Sequence, residues 1–92
     1  MNILCTPLYE KQLKEILSTY IEEDFTATKK FKLYLDTILI NLPTKANKYK
    51  KAKLFDDEDI KEIPHENFNI LFFIDKISDN YLILAILPKN ET

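Results

Sequence analysis

The chain has 92 residues, 46% of them hydrophobic and 30% charged, with a formal net charge of -2. That composition suits one globular domain with a small core and excludes a disordered chain. Glycine and arginine are both absent, so all 13 basic residues are lysines; a glycine-rich phosphate loop or dinucleotide fingerprint is excluded.

Arginine is the usual residue for bidentate phosphate contact, so a net-negative chain without it disfavours direct nucleic-acid binding. The single cysteine, Cys5, cannot close an internal disulfide. Charge at Glu10 and Lys11 arrives too early for a secretory leader, and the longest apolar run, Tyr81–Leu87, is far too short to cross a bilayer. These features predict a cytoplasmic, reducing setting with no membrane contact.

Asn2–Thr6 reads as a short apolar strand. Thr6 before Pro7 is a helix start, because the hydroxyl can accept from an orphan amide and proline suits the first helical position. Tyr9, Leu13, Ile16, Leu17, Tyr20 and Ile21 then recur at three- and four-residue spacing, one apolar stripe of a helix running to about Glu23. Asp24 or Thr26 caps a second helix with the stripe Phe31, Tyr34, Leu35, Ile38, Leu39 and Leu42, and Pro43 is expected to stop it. The short break between the helices favours an antiparallel hairpin.

Thr44–Lys53 is polar and basic, and Asp56-Asp57-Glu58-Asp59 follows it. Three strands are then expected at Ile60–Pro64, Phe68–Asp75 and Tyr81–Leu87, joined by turns at 64–67 and 76–80. The last two are apolar on both faces, as strands buried on both sides are. The predicted class is α+β: an N-terminal strand, a helical hairpin and a three-stranded antiparallel meander, with the helices on one face of the sheet, all in a single domain over residues 1–92.

That order covers only one face, so the second is expected to meet a partner. The candidate partner-binding residues are Leu71, Phe73, Leu82, Leu84 and Ile86; alternation alone leaves Phe72, Ile83 and Ala85 as an equal choice. Lys48, Lys50, Lys51, Lys53 and Lys89 are candidates for contact with a target or a phosphate, weighed against a solvated loop neutralised by residues 56–59. Tyr49 among them could stack on a base. The acidic run lacks the interleaved turn residues of a calcium loop and reads as a solvated turn or cap. His65, the only histidine, falls in a predicted turn, and Cys5 reads as a small buried hydrophobe. No metal, cofactor or catalytic constellation emerges.

The segments Tyr49–Ile63, Asn67–Asp75 and Leu82–Asn90, in this element order and length, resemble the RelE/ParE toxin superfamily of bacterial type II toxin–antitoxin modules. The resemblance implies a cognate antitoxin whose C-terminal segment folds across the toxin. RelE-like members cleave mRNA on the ribosome; ParE-like members inhibit DNA gyrase. The arginine that follows the aromatic residue in the former group falls on Asn69, and the one after the last strand falls on Asn90, beside Lys89. The C-terminal helix with its catalytic tyrosine has no room after Thr92. RNA cleavage needs a group to activate the 2′-hydroxyl and positive charge for the transition state, and neither asparagine supplies them. The expectation is therefore a ParE-like toxin acting by protein binding, with gyrase as the target that the resemblance suggests. A divergent ribosome-dependent mRNA interferase and a non-toxic homodimer of the same fold are the alternatives.

Overall fold

The computed structural model describes residues 2–92; Met1 and the side chain of Ile21, a member of the first stripe, lie outside the described residues. β1 (Asn2–Cys5) leads into helices α1 (Pro7–Glu23) and α2 (Phe25–Ile40), a short helical turn α3 (Leu42–Lys45) and a 3-10 turn at Ala46–Lys48. Four strands follow: β2 (Lys50–Lys51), β3 (Ile60–His65), β4 (Phe68–Asp75) and β5 (Asn80–Pro88). The five strands form one sheet in the order β1-β5-β4-β3-β2. β2 through β5 pair antiparallel, while β1 runs parallel to β5.

The predicted caps form. Thr6 is extended and its Oγ1 accepts from the Tyr9 amide at 3.1 Å. Asp24 alone separates the helices, and its Oδ1 accepts from the Ala27 amide at 3.1 Å. Pro43 does not stop α2. The helix ends at Ile40 with Asn41 as its cap, and Pro43 sits in the first turn of α3, where its missing N–H costs no intrahelical bond.

The core lies between the hairpin and the sheet. Tyr9, Phe31, Leu35 and Leu42 pack on Ile63, Ile70, Phe72, Ile83 and Ile86, and half-buried Leu13, Ile16, Leu17 and Tyr20 close over them. Rings meet edge to face, Phe31 with Phe68 at 5.8 Å and Phe72 with Tyr81 at 6.3 Å. His65 is not a turn residue. It ends β3, is buried, and its Nε2 lies 3.2 Å from the Phe31 carbonyl, the contact of an Nε2–H donor. Cys5 is exposed rather than buried, because β1 is an edge strand.

A bulge in β5 decides which side chains meet the helices. Leu71 pairs with Ala85 but Phe72 pairs with Ile83, so Leu84 is an extra residue. Tyr81 and Ile83 face the helices before the bulge and Ile86 after it, which reverses the parity of the strand. β1 ends one residue short of this point. The edge groups it leaves on β5 are met by α1: Thr6 Oγ1 donates to the Leu84 carbonyl at 2.8 Å, and Gln12 Oε1 accepts from the Ile86 amide at 2.9 Å.

Candidate functional site

The face of the sheet away from the helices carries two neighbouring surfaces. The first is apolar. Ala52, just past β2, is fully buried against Leu71 and Ala85, with Ile60, Leu84 and Leu87 half-buried around them. The second face thus has a small cluster of its own. Of the five apolar candidates, Phe73, Leu82 and Leu84 are half-buried, Leu71 lies beneath the chain at Ala52, and Ile86 is turned into the helix-side core by the bulge. Phe72 and Ile83, the opposite choice, also face the helices, and Ala85 lies in the outer cluster.

The second surface is a cleft of about 470 Å³ at the β2 end of the sheet. Lys48, Lys50 and Lys53 line it from the segment around β2, Lys89 from the 3-10 turn after β5, and Glu62, Pro64 and Asn69 from its floor. Lys50 stands opposite Glu62 across β2 and β3. Lys89 is held in place by its own amide, which donates to the Asn67 carbonyl at 2.8 Å. Asn69 Nδ2 donates to Thr92 Oγ1 at 2.7 Å, and that hydroxyl donates to the Lys89 carbonyl at 2.9 Å, so the tail is tied to the floor.

Four of the five predicted lysines therefore converge, although 36 or more positions separate Lys89 from the others in sequence. Lys51 does not join them: its Nζ donates to the Phe55 carbonyl at 2.6 Å. Tyr49 lines the cleft but cannot present a free ring, since that ring packs edge-on against Phe72 at 6.0 Å. Glu62 was not foreseen as a site residue. It is only 8% exposed, and its Oε2 is buried with no hydrogen-bond partner among the described residues. A glutamate opposite a lysine in an alternating strand is a common surface pattern, so only the tertiary structure marks it.

The remaining titratable candidates are structural. Partial desolvation on the edge strand, and next the negative charge of Glu10, push the Cys5 thiol up, which keeps it protonated and a poor nucleophile. The acidic run is a turn: Asp57 Oδ1 accepts from the Asp59 amide at 2.8 Å, and Asp59 pairs with Lys76 at 3.3 Å. No group of three or more His, Cys, Asp or Glu side chains among the described residues is placed to hold a metal ion.

A family model described as the ParE toxin of the type II toxin–antitoxin system, parDE, matches residues 3–92. The chain belongs to the ParE toxin family. A solved chromosomal ParDE toxin–antitoxin system from P. aeruginosa superposes with a TM-score of 0.68, over 96% of this chain and 95% of that one, at 17% identity. At that identity the likeness is one of fold, and it agrees with the α+β arrangement read from the sequence. A comparison with curated proteins returns no match. No helix among the described residues is long and apolar enough to cross a membrane.

Proposed function

We propose that the chain is the toxin of a type II module, that it poisons by binding a protein, with DNA gyrase as the target, and that a cognate antitoxin neutralises it. The observation that carries this reading is the ParE family match over residues 3–92. Two features support binding over RNA cleavage. The floor position where RNA-cleaving relatives carry arginine is Asn69, whose amide is already bonded to Thr92. Asn90 holds the other such position and is exposed on the final turn.

The antitoxin segment crosses the outer face, where Phe73, Leu82 and Leu84 are half-buried and able to lose their remaining exposure. Burying apolar surface there contributes roughly 25 cal/mol per Å² before the cost of ordering the segment. Leu54 and Phe55, on the loop before β3, are exposed as well.

Inducible expression of this chain in bacteria, with growth, mRNA integrity and plasmid supercoiling followed in parallel, tests the proposal. The expected result is growth arrest with intact mRNA and altered supercoiling, relieved by co-expression of the antitoxin. Arrest with cleaved mRNA would make the chain an mRNA interferase. A soluble, non-toxic homodimer in sedimentation would overturn the toxin reading altogether.

A further inference from the structure

The lysine cleft has the make-up of a small-ligand site. Lys48, Lys50, Lys53 and Lys89 bring four ammonium groups to one concavity in a molecule whose net charge is -2. Local field, not net charge, decides what a concave surface attracts. Exposed lysines alone are ordinary. What sets this group apart is Glu62, which is 8% exposed and contributes to the same wall, with Oε2 buried and unpartnered among the described residues. A buried carboxylate oxygen accepts hydrogen bonds and is costly to leave without one. Asn69, on the same face, makes no hydrogen bond to it and gives one amide hydrogen to Thr92 instead.

From this juxtaposition we propose that the cleft binds a nucleoside phosphate, with the phosphate groups on the lysines and a ribose hydroxyl donating to Glu62. The ligand must be an anion of high charge density that also carries a donor a few bonds away. A free carboxylate or inorganic phosphate meets only the first requirement. A nucleoside diphosphate meets both, and a carboxylate is a recurrent acceptor for ribose hydroxyls beside a phosphate site. Lysines serve as mobile point charges for phosphate where planar, bidentate recognition is not needed. The cleft, at about 470 Å³, falls in the range of small-molecule sites. This goes beyond the protein-binding toxin reading and does not depend on the identity of the target.

Titration of the purified chain with ADP, followed by amide and side-chain NMR shifts, tests it without any growth assay, so its failure is separate from failure of the toxin reading. Shifts are expected at Lys50, Glu62, Asn69 and Lys89, weakening as salt rises. Lys50→Ala/Lys89→Ala should weaken ADP binding by about tenfold or more, with unchanged thermal unfolding showing an intact fold. The 2′,3′-dideoxy analogue of ADP should bind more weakly than ADP to the native chain, and Glu62→Gln should shrink that difference. Shifts confined to other surfaces, or affinity unchanged in the double lysine variant, would overturn the proposal. Equal affinity for ADP and inorganic pyrophosphate would overturn the part assigned to Glu62 and the ribose. A short oligoribonucleotide run in parallel separates the two sources of the same chemistry: tighter binding than ADP assigns the site to the end of an RNA chain, weaker binding to the free nucleotide.

Discussion

Single side chains show where this small molecule carries unrelieved polar groups. The Tyr9 ring is part of the core at 2% exposure, yet its hydroxyl has no hydrogen-bond partner among the described residues. Tyr9→Phe removes a desolvated hydroxyl and leaves the ring packing in place, so stability in urea denaturation should rise by about 1 kcal/mol. The same variant separates a pH effect. Burial, and then the negative charges of the thiolate that Cys5 becomes at alkaline pH and of Asp36, push the Tyr9 hydroxyl far up from its usual value of 10.0. The folded state thus keeps the phenol neutral while the unfolded state ionises, and stability falls as pH rises above 10. Tyr9→Phe should flatten that alkaline fall, whereas an unchanged slope would place its origin elsewhere. Asp75 acts at the other end of the scale. Hydrogen bonds from Ser78, first from its side chain and then from its amide, hold this exposed carboxyl below its usual value. Its contribution to the β4–β5 turn is present above that usual value and is lost as pH falls through the lowered one.

At the scale of elements, the join between α1 and β5 ties the helical layer to the sheet edge. Thr6 caps α1 through its oxygen and, through its hydrogen, meets the Leu84 carbonyl; Gln12 meets the Ile86 amide. Thr6→Ala should cost about 1–2 kcal/mol, loss of an N-cap plus an orphaned carbonyl, and Gln12→Ala about 1 kcal/mol or more. The two serve one edge, so their costs in the double variant should depart from the sum. The helix starts and caps were legible in the sequence because they rest on local chemistry: threonine before proline, aspartate in a one-residue break. Strand positions were legible for the same reason, since β4 spans the expected Phe68–Asp75. The parity of β5 was not. An extra residue at Leu84 comes from the pairing of two strands, and nothing in Tyr81–Leu87 marks it, because every position there is apolar. Ile86 therefore went to the wrong face in the sequence reading. Pro43 misled in the opposite way, since a proline that ends one helix and a proline that opens the next look alike in sequence.

For the whole molecule, the question is how much of the second face the chain covers itself. Leu71 sits at 2% exposure under the segment at Ala52, while Phe73 and Leu82 keep part of their surface open. Leu71→Ala should cost about 2–4 kcal/mol in the isolated chain, as core truncations do. Leu82→Ala should cost about 1 kcal/mol there and show the larger part of its effect in affinity for the antitoxin. If Leu82→Ala instead unfolded the free chain, the face would be ordinary core and a poor docking surface. The cleft was legible only in pieces. Lys48, Lys50 and Lys53 stood out as a local cluster, and Lys89 as a separate candidate, but their meeting depends on the order β5-β4-β3-β2, which places the turn after β5 near the end of β3. The burial of Glu62 was not legible, because burial of a charge is a property of three dimensions.

The position of β5 in the sheet also governs how the molecule can come into being. It lies between β1, the first strand made, and β4, and it receives Thr6 and Gln12 from α1. A nascent chain emerging from the ribosome can wind its helices early, but β1 has nothing to pair with until residues 80–88 are out. Chains stopped before that point would lack the strand on which the N-terminal segment and α1 close, and would be open to proteases. At about 5–20 residues per second, several seconds of synthesis pass before the N-terminal strand can meet its partner.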